Sequence, residues 1–376
     1  MPPQKIAYFM PKNWPLANVK VSEALKNQFS DCQLDTFNLE TIISKRFDVL
    51  VLNTFATIIY YGKDILKKKR GFKDCFWRTP FLYNFVKKWI GKNVDKNRYW
   101  FTFQIQSLFD CSIEGVPHFV YTDHTHLANL YYESFNKEKL YPEFWVDLEK
   151  RIYNHASLIF VRSTNIKRSL EDQYGQPKQK VTCVFAGSNV ETKQIKASED
   201  RFHRQNILFV GIDWERKGGP ALLSAFEKIQ IDFPHSTLTI VGCKPDNQIP
   251  NVNAMGRIPP DDLREYYKNA SIFCLPTREE PFGIAFLEAM QAGLPIIGTN
   301  VGAIPDFVQN GWNGWLVEPD EVNELASALL KLLENPEQCK TFGARSLQSV
   351  QERYNWQAVA NKFQENILNY MKSTYN

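Results

Sequence analysis

The chain has 376 residues, of which 44% are hydrophobic and 23% charged, and its formal net charge is +4 at pH 7. This length and composition are typical of a globular protein with two domains and exclude a disordered or fibrous chain. The seven cysteines are scattered and include no Cys-x-x-Cys pair, which argues against a disulfide framework and against a zinc site.

The location of the protein is predicted from what the sequence lacks. No apolar run is expected to span a bilayer, because spanning requires about 20 consecutive apolar residues. The N-terminus, Met1–Ile6, does not have the charged-then-apolar layout of a signal peptide. The scattered cysteines indicate buried thiols in a reducing compartment. We therefore expect a cytoplasmic protein.

The first half of the chain alternates strand and helix patterns, which indicates βαβ units and a parallel sheet. The predicted helices are residues 19–29 and 164–174. The predicted strands are residues 5–10, 48–53, 100–104, 118–122, 156–161 and 180–185. Residues 1–190 are therefore predicted to form an N-terminal α/β domain.

An insertion at about residues 60–100 is rich in cations and aromatic rings. Its twelve cations are opposed by only three aspartates. Phe81, Phe85 and Trp89 recur at i, i+4 spacing, so they share one face of a predicted helix. Basic side chains with aromatic anchors suit an anionic membrane or a charged acceptor, and a similar composition binds nucleic acid. A solvated helical insertion that packs partly on the core accounts for the same pattern.

The predicted strand at residues 118–122 is followed by Asp123-His124-Thr125-His126. Ligands bind at the carboxyl ends of strands in open α/β sheets, so these side chains are candidates for a functional site. Asp123, His124 and His126 are also of types that bind zinc. A metal site is nevertheless not expected, because no cluster that would supply a further ligand is evident.

The second half of the chain repeats the alternation after a polar segment, residues 191–205, which we predict to be an interdomain linker. The predicted strands are residues 206–210, 237–241, 271–275, 295–299 and 315–317. The predicted helices are residues 219–230, 260–269, 284–291 and 322–333. Residues 206–353 therefore form a second predicted α/β domain, and the tail, residues 354–376, is predicted to be a helix.

Two adjacent cations follow the first strand of the second domain. Gly211 ends that strand, and Arg216 and Lys217 lie in the loop that leads into the helix at residue 219. The glycine permits a sharp turn, and the cations are suited to an anionic ligand. In the alternative interpretation, Arg216 and Lys217 are exposed loop residues that only increase solubility.

The most informative stretch is Glu280-Pro-Phe-Gly-Ile-Ala-Phe-Leu-Glu288, which joins a predicted buried strand to a helix. The amides of Phe282, Gly283 and Ile284 would be unpaired donors at the helix N-terminus, which is a site for a phosphate group. Glu288 lies about one turn further in, where its carboxylate would accept hydrogen bonds from ligand hydroxyl groups. In the alternative interpretation, Glu288 is a solvated helix residue and Gly283 a simple turn residue.

This stretch resembles the donor-site signature of glycosyltransferase family 4, whose members are retaining enzymes with the GT-B fold. The resemblance is close over about residues 180–317 and weak over the first half of the chain. It implies an α/β protein with two facing Rossmann-like domains, each with a parallel sheet, and a C-terminal helix (354–376) that crosses back to the first domain.

The resemblance also implies the reaction. A sugar would move, with retention, from a UDP-, GDP- or ADP-linked donor to a hydroxyl group of an acceptor glycan or glycolipid. The Asp-x-Asp metal motif of the other major glycosyltransferase fold is absent, so neither a metal nor another cofactor is expected. A lipid-linked acceptor or a cell-surface polysaccharide precursor would suit an enzyme that contacts the inner face of the cytoplasmic membrane.

The donor-binding residues follow from the same resemblance. The nucleobase would lie near Arg257 and Ile258, whose backbone groups would contact the edge of the base. The ribose would lie on Glu288, and the amides of residues 282–284 would bind the diphosphate close to Gly211.

The residues expected to act in catalysis are His124, Arg216, Lys217 and Glu280. Arg216 and Lys217 would stabilise the departing diphosphate, and Glu280 would hold hydroxyl groups of the sugar. His124 matches the family's active-site histidine and would face the transferred sugar. The family usually has an arginine directly after the strand's glycine; Ile212 occupies that place, and Arg216 is expected to substitute.

Two other classes of function remain open. One is a GT-B phosphorylase or an enzyme that forms a sugar phosphate. The other is a non-catalytic binder of nucleotide-sugars or of nucleic acid that uses the basic insertion. Because Lys217, Glu280, Glu288 and His124 are all present, transfer is the favoured interpretation, and no nucleic-acid partner is expected.

Overall fold

A computed structural model describes residues 5–12, 17–188, 198–246 and 249–375. The chain divides into two compact units: unit 1 is Met1–Phe185 with Val359–Asn376, and unit 2 is Ala186–Ala358. Each unit contains a six-stranded sheet in which the neighbouring strands that pair are parallel. The two parallel sheets match the predicted pair of Rossmann-like domains.

The sheet of unit 1 has the order β2-β1-β3-β4-β5-β6. Its strands are β1 (Lys5–Met10), β2 (Gln33–Asn38), β3 (Tyr99–Ile105), β4 (His118–Thr122), β5 (Leu158–Val161) and β6 (Val181–Cys183). The helices are α1 (Ala17–Gln28), α2 (Leu39–Ser44), α3 (Phe47–Leu66), α4 (Phe72–Phe76), α5 (Pro80–Asn93), α6 (Glu143–His155) and α7 (Thr164–Asp172).

The sheet of unit 2 has the order β12-β11-β10-β7-β8-β9. Its strands are β7 (Asn206–Val210), β8 (Thr237–Val241), β9 (Val252–Gly256), β10 (Ile272–Leu275), β11 (Ile296–Thr299) and β12 (Gly314–Val317). The helices are α8 (Gly219–Ile229), α9 (Pro260–Asn269), α10 (Ile284–Gln291), α11 (Ile304–Phe307), α12 (Val322–Leu333) and α13 (Pro336–Glu352), and the last helix of the chain is α14 (Trp356–Tyr375).

The predicted linker is described only in part. Residues 191–197 lie outside the described residues. Glu199–Arg204 form a short 3-10 helix within unit 2. Arg201 in this helix is buried, and its guanidinium donates to the carbonyl oxygen of Gly293 at 2.7 Å. This end of the polar segment therefore packs against unit 2.

The predicted strand at residues 48–53 is wrong, because these residues begin the 20-residue helix α3. Within α3, the buried residues Val49, Asn53, Thr57 and Tyr61 recur every fourth position, which is a helical period. A short apolar run fits a buried strand and a helix equally well, so the run Val49–Leu52 did not distinguish them. Two strands were not predicted, and both lie at sheet edges: β2, a half-exposed strand with the polar sequence QLDTFN, and β9, with the sequence VNAMG.

The aromatic face of α5 packs on its own unit, which agrees with the predicted alternative of an insertion that packs partly on the core. Phe81, Phe85 and Trp89 are partly buried and pack against the core of unit 1. Lys87 lies with its Nζ 2.8 Å from the carboxylate of Asp110 and donates to the backbone of Ser112. This helix therefore covers the apolar cluster of its own unit.

The C-terminal helix α14 packs on the sheet of unit 1. The ring of Phe363 lies 5.0 to 5.1 Å from the rings of Phe103, Tyr121 and Phe160. Tyr370 packs against Phe119 with a centroid distance of 5.7 Å. From Val359 onward the helix belongs to unit 1, which confirms the predicted return of the chain to the first domain.

One glycine is expected to be essential for the fold of unit 2. Gly218 precedes α8 with a φ of +71°, and a Cβ atom there would lie 1.8 Å from the carbonyl oxygen of Pro276. Gly218→Ala should therefore lower the free energy of unfolding by about 1–3 kcal/mol. Gly91 in α5 is the matched control, since a Cβ there meets nothing within 4 Å and alanine favours a helix by about 0.5–1 kcal/mol. Thermal denaturation measures both variants, and a Gly218→Ala protein as stable as wild type would contradict this prediction.

Candidate active site

The candidate residues of unit 2 lie at one edge of its sheet. Gly211 directly follows β7, Arg257 and Ile258 directly follow β9, and Glu280 lies in the segment between β10 and α10. Because the strands are parallel, their carboxyl ends meet at the same edge, where open α/β sheets bind ligands. Arg257 is exposed and Ile258 half-buried.

A buried ion pair joins Lys217 to Glu280. The Nζ atom of Lys217 donates to a carboxylate oxygen of Glu280, and the two side chains are only 12% and 8% exposed. A Cβ atom at Gly211 would lie 3.0 Å from the Lys217 side chain, so the glycine leaves room for the lysine. The family resemblance places Lys217 on the diphosphate and Glu280 on the sugar, and no local pattern indicates that these two residues bind each other.

Arg216 ties the loop after β7 to the loop after β10. Its guanidinium donates to the carbonyl oxygen of Glu279 at 2.9 Å and to the carboxylate of Asp213 at 3.3 Å. Its carbonyl oxygen accepts hydrogen bonds from the amide of Arg278 at 2.9 Å and the hydroxyl of Thr277 at 3.0 Å. The guanidinium is therefore held at the same edge of the sheet as Lys217.

Helix α10 begins where the sequence predicts it. Gly283 precedes it with a φ of +94°, a conformation that glycine adopts without strain. The amide of Phe286 donates to the carbonyl oxygen of Gly283 at 3.0 Å, and the amide of Ala303 donates to the carbonyl oxygen of Glu280 at 3.1 Å. The first amides of an α-helix have no acceptor within the helix, so this end of α10 is suited to an anion.

Glu288 is held by a tyrosine that sequence analysis did not single out. The hydroxyl of Tyr267 in α9 donates to Glu288 Oε2 at 3.0 Å. Burial raises the pKa of Glu288 to about 6, and the hydrogen bond from Tyr267 acts in the opposite direction. Glu288 is therefore a carboxylate at neutral pH. No motif marks Tyr267, because its partner is 21 residues away.

In unit 1, His124 lies just after β4 and is half-buried. The side-chain amide of Asn129 lies 3.2 Å from Nε2 of His124, and an amide NH₂ only donates, so Nε2 accepts. Burial lowers the pKa of His124, while the carboxylate of Asp123 acts in the opposite direction. Asp123 in turn accepts a hydrogen bond from the buried Arg162 at 3.2 Å. His124 is thus a neutral side chain.

His126 is buried and is held by the backbone of unit 1. Its Nε2 accepts a hydrogen bond from the backbone amide of Tyr141 at 2.7 Å, and burial lowers the pKa of His126 to about 3. Because Nε2 already accepts this hydrogen bond, it is not available to a metal ion beside Asp123 and His124. In the described ranges, no group of three or more His, Cys, Asp and Glu side chains is placed to hold a metal ion.

Glu149 is a buried carboxyl group that sequence analysis missed, because α6 was not predicted. It accepts hydrogen bonds from the hydroxyl groups of Tyr153, at 3.1 Å, and of Tyr174, and from the amide of His126, also at 3.1 Å. Burial raises the pKa of Glu149 to about 7, and the hydrogen bonds act in the opposite direction.

A cavity of about 520 Å³ lies in unit 1, and His124 and Glu149 are part of its wall. Cations and aromatic rings also line it: Lys12, Lys73, Arg78, Lys139, Trp77, Tyr141 and Trp145. Ligand cavities of this size combine apolar walls with a few placed polar groups. The cavity is therefore a candidate site for a polar ligand.

The raised pKa of Glu149 predicts how stability depends on pH. The ordinary pKa is 4.5 and the folded-state pKa about 7, so the unfolded chain releases this proton at a lower pH than the folded protein does. The protonated group therefore stabilises the fold fully below about pH 4.5, and this stabilisation is lost as the pH rises toward 7. We expect Glu149→Gln to remove most of this pH dependence, whereas Glu143→Gln at an exposed site of α6 should not.

Urea denaturation at pH 5 and pH 8 measures this effect. The free energy of unfolding of wild type should fall between the two pH values by more than that of Glu149→Gln. Identical pH profiles for the two proteins would show that Glu149 titrates normally.

Comparison with known proteins finds similarity to glycosyltransferases. Residues 204–335 match the family described as glycosyl transferases group 1. An uncharacterized glycosyltransferase of Methanocaldococcus jannaschii is 24% identical over 324 residues, which cover 83% of this chain and 85% of the relative.

Solved structures match nearly the whole chain. Sucrose-phosphate synthase from Thermosynechococcus elongatus has a TM-score of 0.68 at 19% identity and covers 98% of this chain and 100% of its own. HepE of Anabaena, solved in complex with UDP-glucose, has a TM-score of 0.63 at 15% identity and covers 97% of this chain and 99% of its own. These likenesses show the GT-B fold, and the family match and the relative support a glycosyltransferase.

Proposed function

We propose that the protein is a retaining glycosyltransferase of family 4 that transfers a sugar from a nucleotide-sugar to a hydroxyl group. The proposal rests on one observation: charged side chains and the N-terminus of a helix lie together at one edge of the sheet of unit 2. There the buried Lys217–Glu280 pair lies just before the N-terminus of α10, and the half-buried Glu288 lies about one turn into that helix.

Each part of a nucleotide-sugar has a suitable partner in this grouping. The ionised Glu288 is suited to accept hydrogen bonds from the ribose hydroxyl groups. The amides at the start of α10 and the fixed guanidinium of Arg216 are suited to the diphosphate. We propose that the base lies beside Arg257 and Ile258. Because HepE was solved with UDP-glucose, UDP-linked sugars are the first donors to test.

We assign Lys217 to the departing diphosphate and Glu280 to the hydroxyl groups of the sugar, and the ion pair joins these two roles. Negative charge grows on the diphosphate as the sugar departs, and a fixed ammonium group stabilises that charge. The contact with Glu280 fixes the position of Lys217. A carboxylate has more than one lone pair, so Glu280 can accept from sugar hydroxyl groups while it holds Lys217.

His124 remains a predicted contact of the transferred sugar. Its lowered pKa supports this role, because a neutral imidazole both donates and accepts hydrogen bonds and so can bind a hydroxyl group. For the acceptor, we propose a glycan or glycolipid hydroxyl group bound in the cavity of unit 1. The cations and aromatic rings of that cavity support a polar ligand with apolar faces.

The proposal is tested first by donor binding. UDP-, GDP- and ADP-sugars are compared by thermal shift, and the matching donor at 100 times its dissociation constant should stabilise the protein by about 2.7 kcal/mol. With that donor, NMR of the product should show the anomeric configuration of the donor. Transfer to inorganic phosphate instead would favour a phosphorylase, and salt-dependent nucleic-acid binding without donor binding would favour the non-catalytic alternative.

Activity is expected not to require a metal ion. In this proposal, Arg216, Lys217 and the N-terminus of α10 stabilise the negative charge of the diphosphate, so no metal ion is needed for this purpose. Transfer measured in EDTA should therefore equal transfer measured without it. If EDTA abolished transfer and a divalent ion restored it, Asp123 and His124 would have to be reconsidered as metal ligands.

A further inference from the structure

Helix α3 of unit 1 exposes an apolar face, which we call the α3 outer face. Its side chains are Phe47, Val51, Leu52, Phe55, Ile58, Ile59 and Leu66. Phe55 is 60% exposed, Ile59 79% and Leu66 86%. Single exposed apolar residues are common, but a contiguous patch of this kind usually marks an interaction site.

The opposite face of α3 is polar and is bound to its own unit. The amide of Asn53 donates to the carbonyl oxygen of Phe76 at 2.8 Å, and the hydroxyl of Tyr61 donates to the carbonyl oxygen of Arg78 at 2.8 Å. Asn53 also accepts a hydrogen bond from the hydroxyl of Thr79. These directional contacts set the rotation of the helix, so its apolar side is held outward.

Charge is absent from the middle of α3 and positive near its ends. Residues 49–62 contain no charged side chain. Lys45 and Arg46 precede the helix, and Arg46 pairs with Asp48 at 2.6 Å. Near the other end, Lys63, Lys67, Lys68 and Lys73 are exposed and form no ion pair with any residue that the structure describes. The surface is thus an uncharged apolar strip between clusters of cations.

We propose that the α3 outer face docks on the surface of an anionic phospholipid bilayer. A helix of 20 residues extends about 30 Å and would lie flat, with its apolar side chains at the boundary of headgroups and acyl chains. The lysines near its C-terminal end would meet lipid phosphates, since cations beside an amphipathic helix are attracted to anionic headgroups. An anionic bilayer supplies both parts of this surface with a partner, an apolar layer for the strip and phosphates for the lysines.

The helix lies on the bilayer and does not cross it. By length and composition alone, α3 could span a membrane, and most of the helix is not buried inside the protein. Spanning would break the hydrogen bonds of Asn53 and Tyr61 and leave these polar groups in hydrocarbon, at a high cost. Docking on the surface keeps every one of these bonds.

The inner face of α3, opposite the α3 outer face, contacts the wall of the cavity in unit 1. Tyr61 of α3 binds the backbone of Arg78, and Arg78, Trp77 and Lys73 line that cavity. The acceptor would then be a membrane-anchored molecule whose polar part reaches the cavity from the bilayer surface. This statement about the acceptor rests on the proposed transfer function; the docking of α3 does not.

Vesicle co-sedimentation tests the docking. Wild-type protein should bind phosphatidylcholine vesicles that contain phosphatidylglycerol, bind vesicles of phosphatidylcholine alone at least tenfold more weakly, and dissociate as salt is added. Phe55→Glu/Ile59→Glu should reduce binding at least tenfold, and Lys67→Glu/Lys68→Glu should weaken binding to the anionic vesicles and reduce its salt dependence. Ile231→Glu, at a residue of unit 2 that is 83% exposed, is the matched control and should bind as wild type does.

Three results would overturn the proposal. The first is no vesicle binding at low salt by a protein whose circular dichroism is native. The second is a dimer in solution that Phe55→Glu/Ile59→Glu dissociates, because a second copy would then cover the face. The third is resistance of the bound protein to both salt and alkaline extraction, which would indicate a spanning helix.

Donor binding separates this proposal from the proposed function. Phe55→Glu/Ile59→Glu should keep the wild-type affinity for the donor, because neither residue belongs to unit 2. It should lose transfer to vesicle-bound acceptors and keep transfer to water-soluble ones. Vesicle binding without donor binding would reject the proposed transferase function and retain the docking surface. Donor binding without vesicle binding would reject the docking surface and retain the proposed function.

Discussion

Replacing Lys217 with alanine is expected to lower the turnover number by about 10²- to 10³-fold, which is typical for the loss of one preorganised electrostatic group. The affinity for free nucleoside diphosphate should fall much less. The ammonium group contributes most where charge develops on the diphosphate, and that charge is larger in the transition state than in the bound donor. Steady-state kinetics and calorimetry of diphosphate binding measure the two effects separately.

The buried contact with Glu280 makes a second measurement necessary. Lys217→Ala leaves the carboxylate of Glu280 in a buried site without its partner, and a broken buried pair costs about 3–5 kcal/mol of stability. The double variant Lys217→Met/Glu280→Gln removes both charges and should recover much of that stability but not the turnover. Lys228→Ala, at an exposed position of α8, is the control for loss of a lysine.

The double variant also decides what the pair does. If Lys217→Met/Glu280→Gln turned over at the wild-type rate, the pair would be structural and the assignment of Lys217 to the diphosphate would be wrong. If Glu280→Gln alone abolished diphosphate binding in a folded protein, Glu280 would belong to the diphosphate site and not to the sugar.

Replacing Glu288 with alanine is expected to weaken nucleotide-sugar binding by about 10- to 150-fold, because hydrogen bonds to a charged acceptor contribute roughly 1.5–3 kcal/mol. The loss should appear equally with the free nucleoside diphosphate, since both ligands carry the ribose. Glu227→Ala, at an exposed position of α8, should bind as wild type does. Unchanged affinity in Glu288→Ala would remove this residue from the ribose site.

The pKa of Glu288 adds a pH signature to this prediction. Burial raises that pKa to about 6, so the carboxylate is present above pH 6 and is protonated below it. Affinity for the nucleotide-sugar should therefore fall as the pH is lowered through 6, and this midpoint should be absent in Glu288→Gln. Tyr267→Phe removes a hydrogen bond that lowers the pKa, so it should move the midpoint to higher pH.

Much of unit 2 is predictable from local sequence. Strands buried on both faces are short apolar runs between turn residues, and Ile272–Leu275 and Ile296–Thr299 have this pattern. The start of α10 is equally local, because the chain there needs a positive φ and Gly283 supplies it. The candidate donor residues at the ends of these strands could therefore be named before their contacts were known.

Other features were decided only by tertiary structure. The run Val49–Leu52 is compatible with a strand, and its position in α3 is set by hydrogen bonds to residues more than 20 positions away. The aromatic face of α5 is compatible with lipid, but it covers the core of unit 1. Local patterns specify the period and polarity of an element, whereas the surface that it meets depends on the rest of the fold.

The chemistry of the candidate sites divides in the same way. The residue types and positions of Lys217, Glu280 and Glu288 follow from the sequence. Their partners do not: Lys217 meets Glu280 across 63 positions, and Tyr267 meets Glu288 across 21. The buried Glu149 had no local signal at all. Charge pairing and burial depend on groups that are distant in sequence and that only the packing of strands and helices brings together.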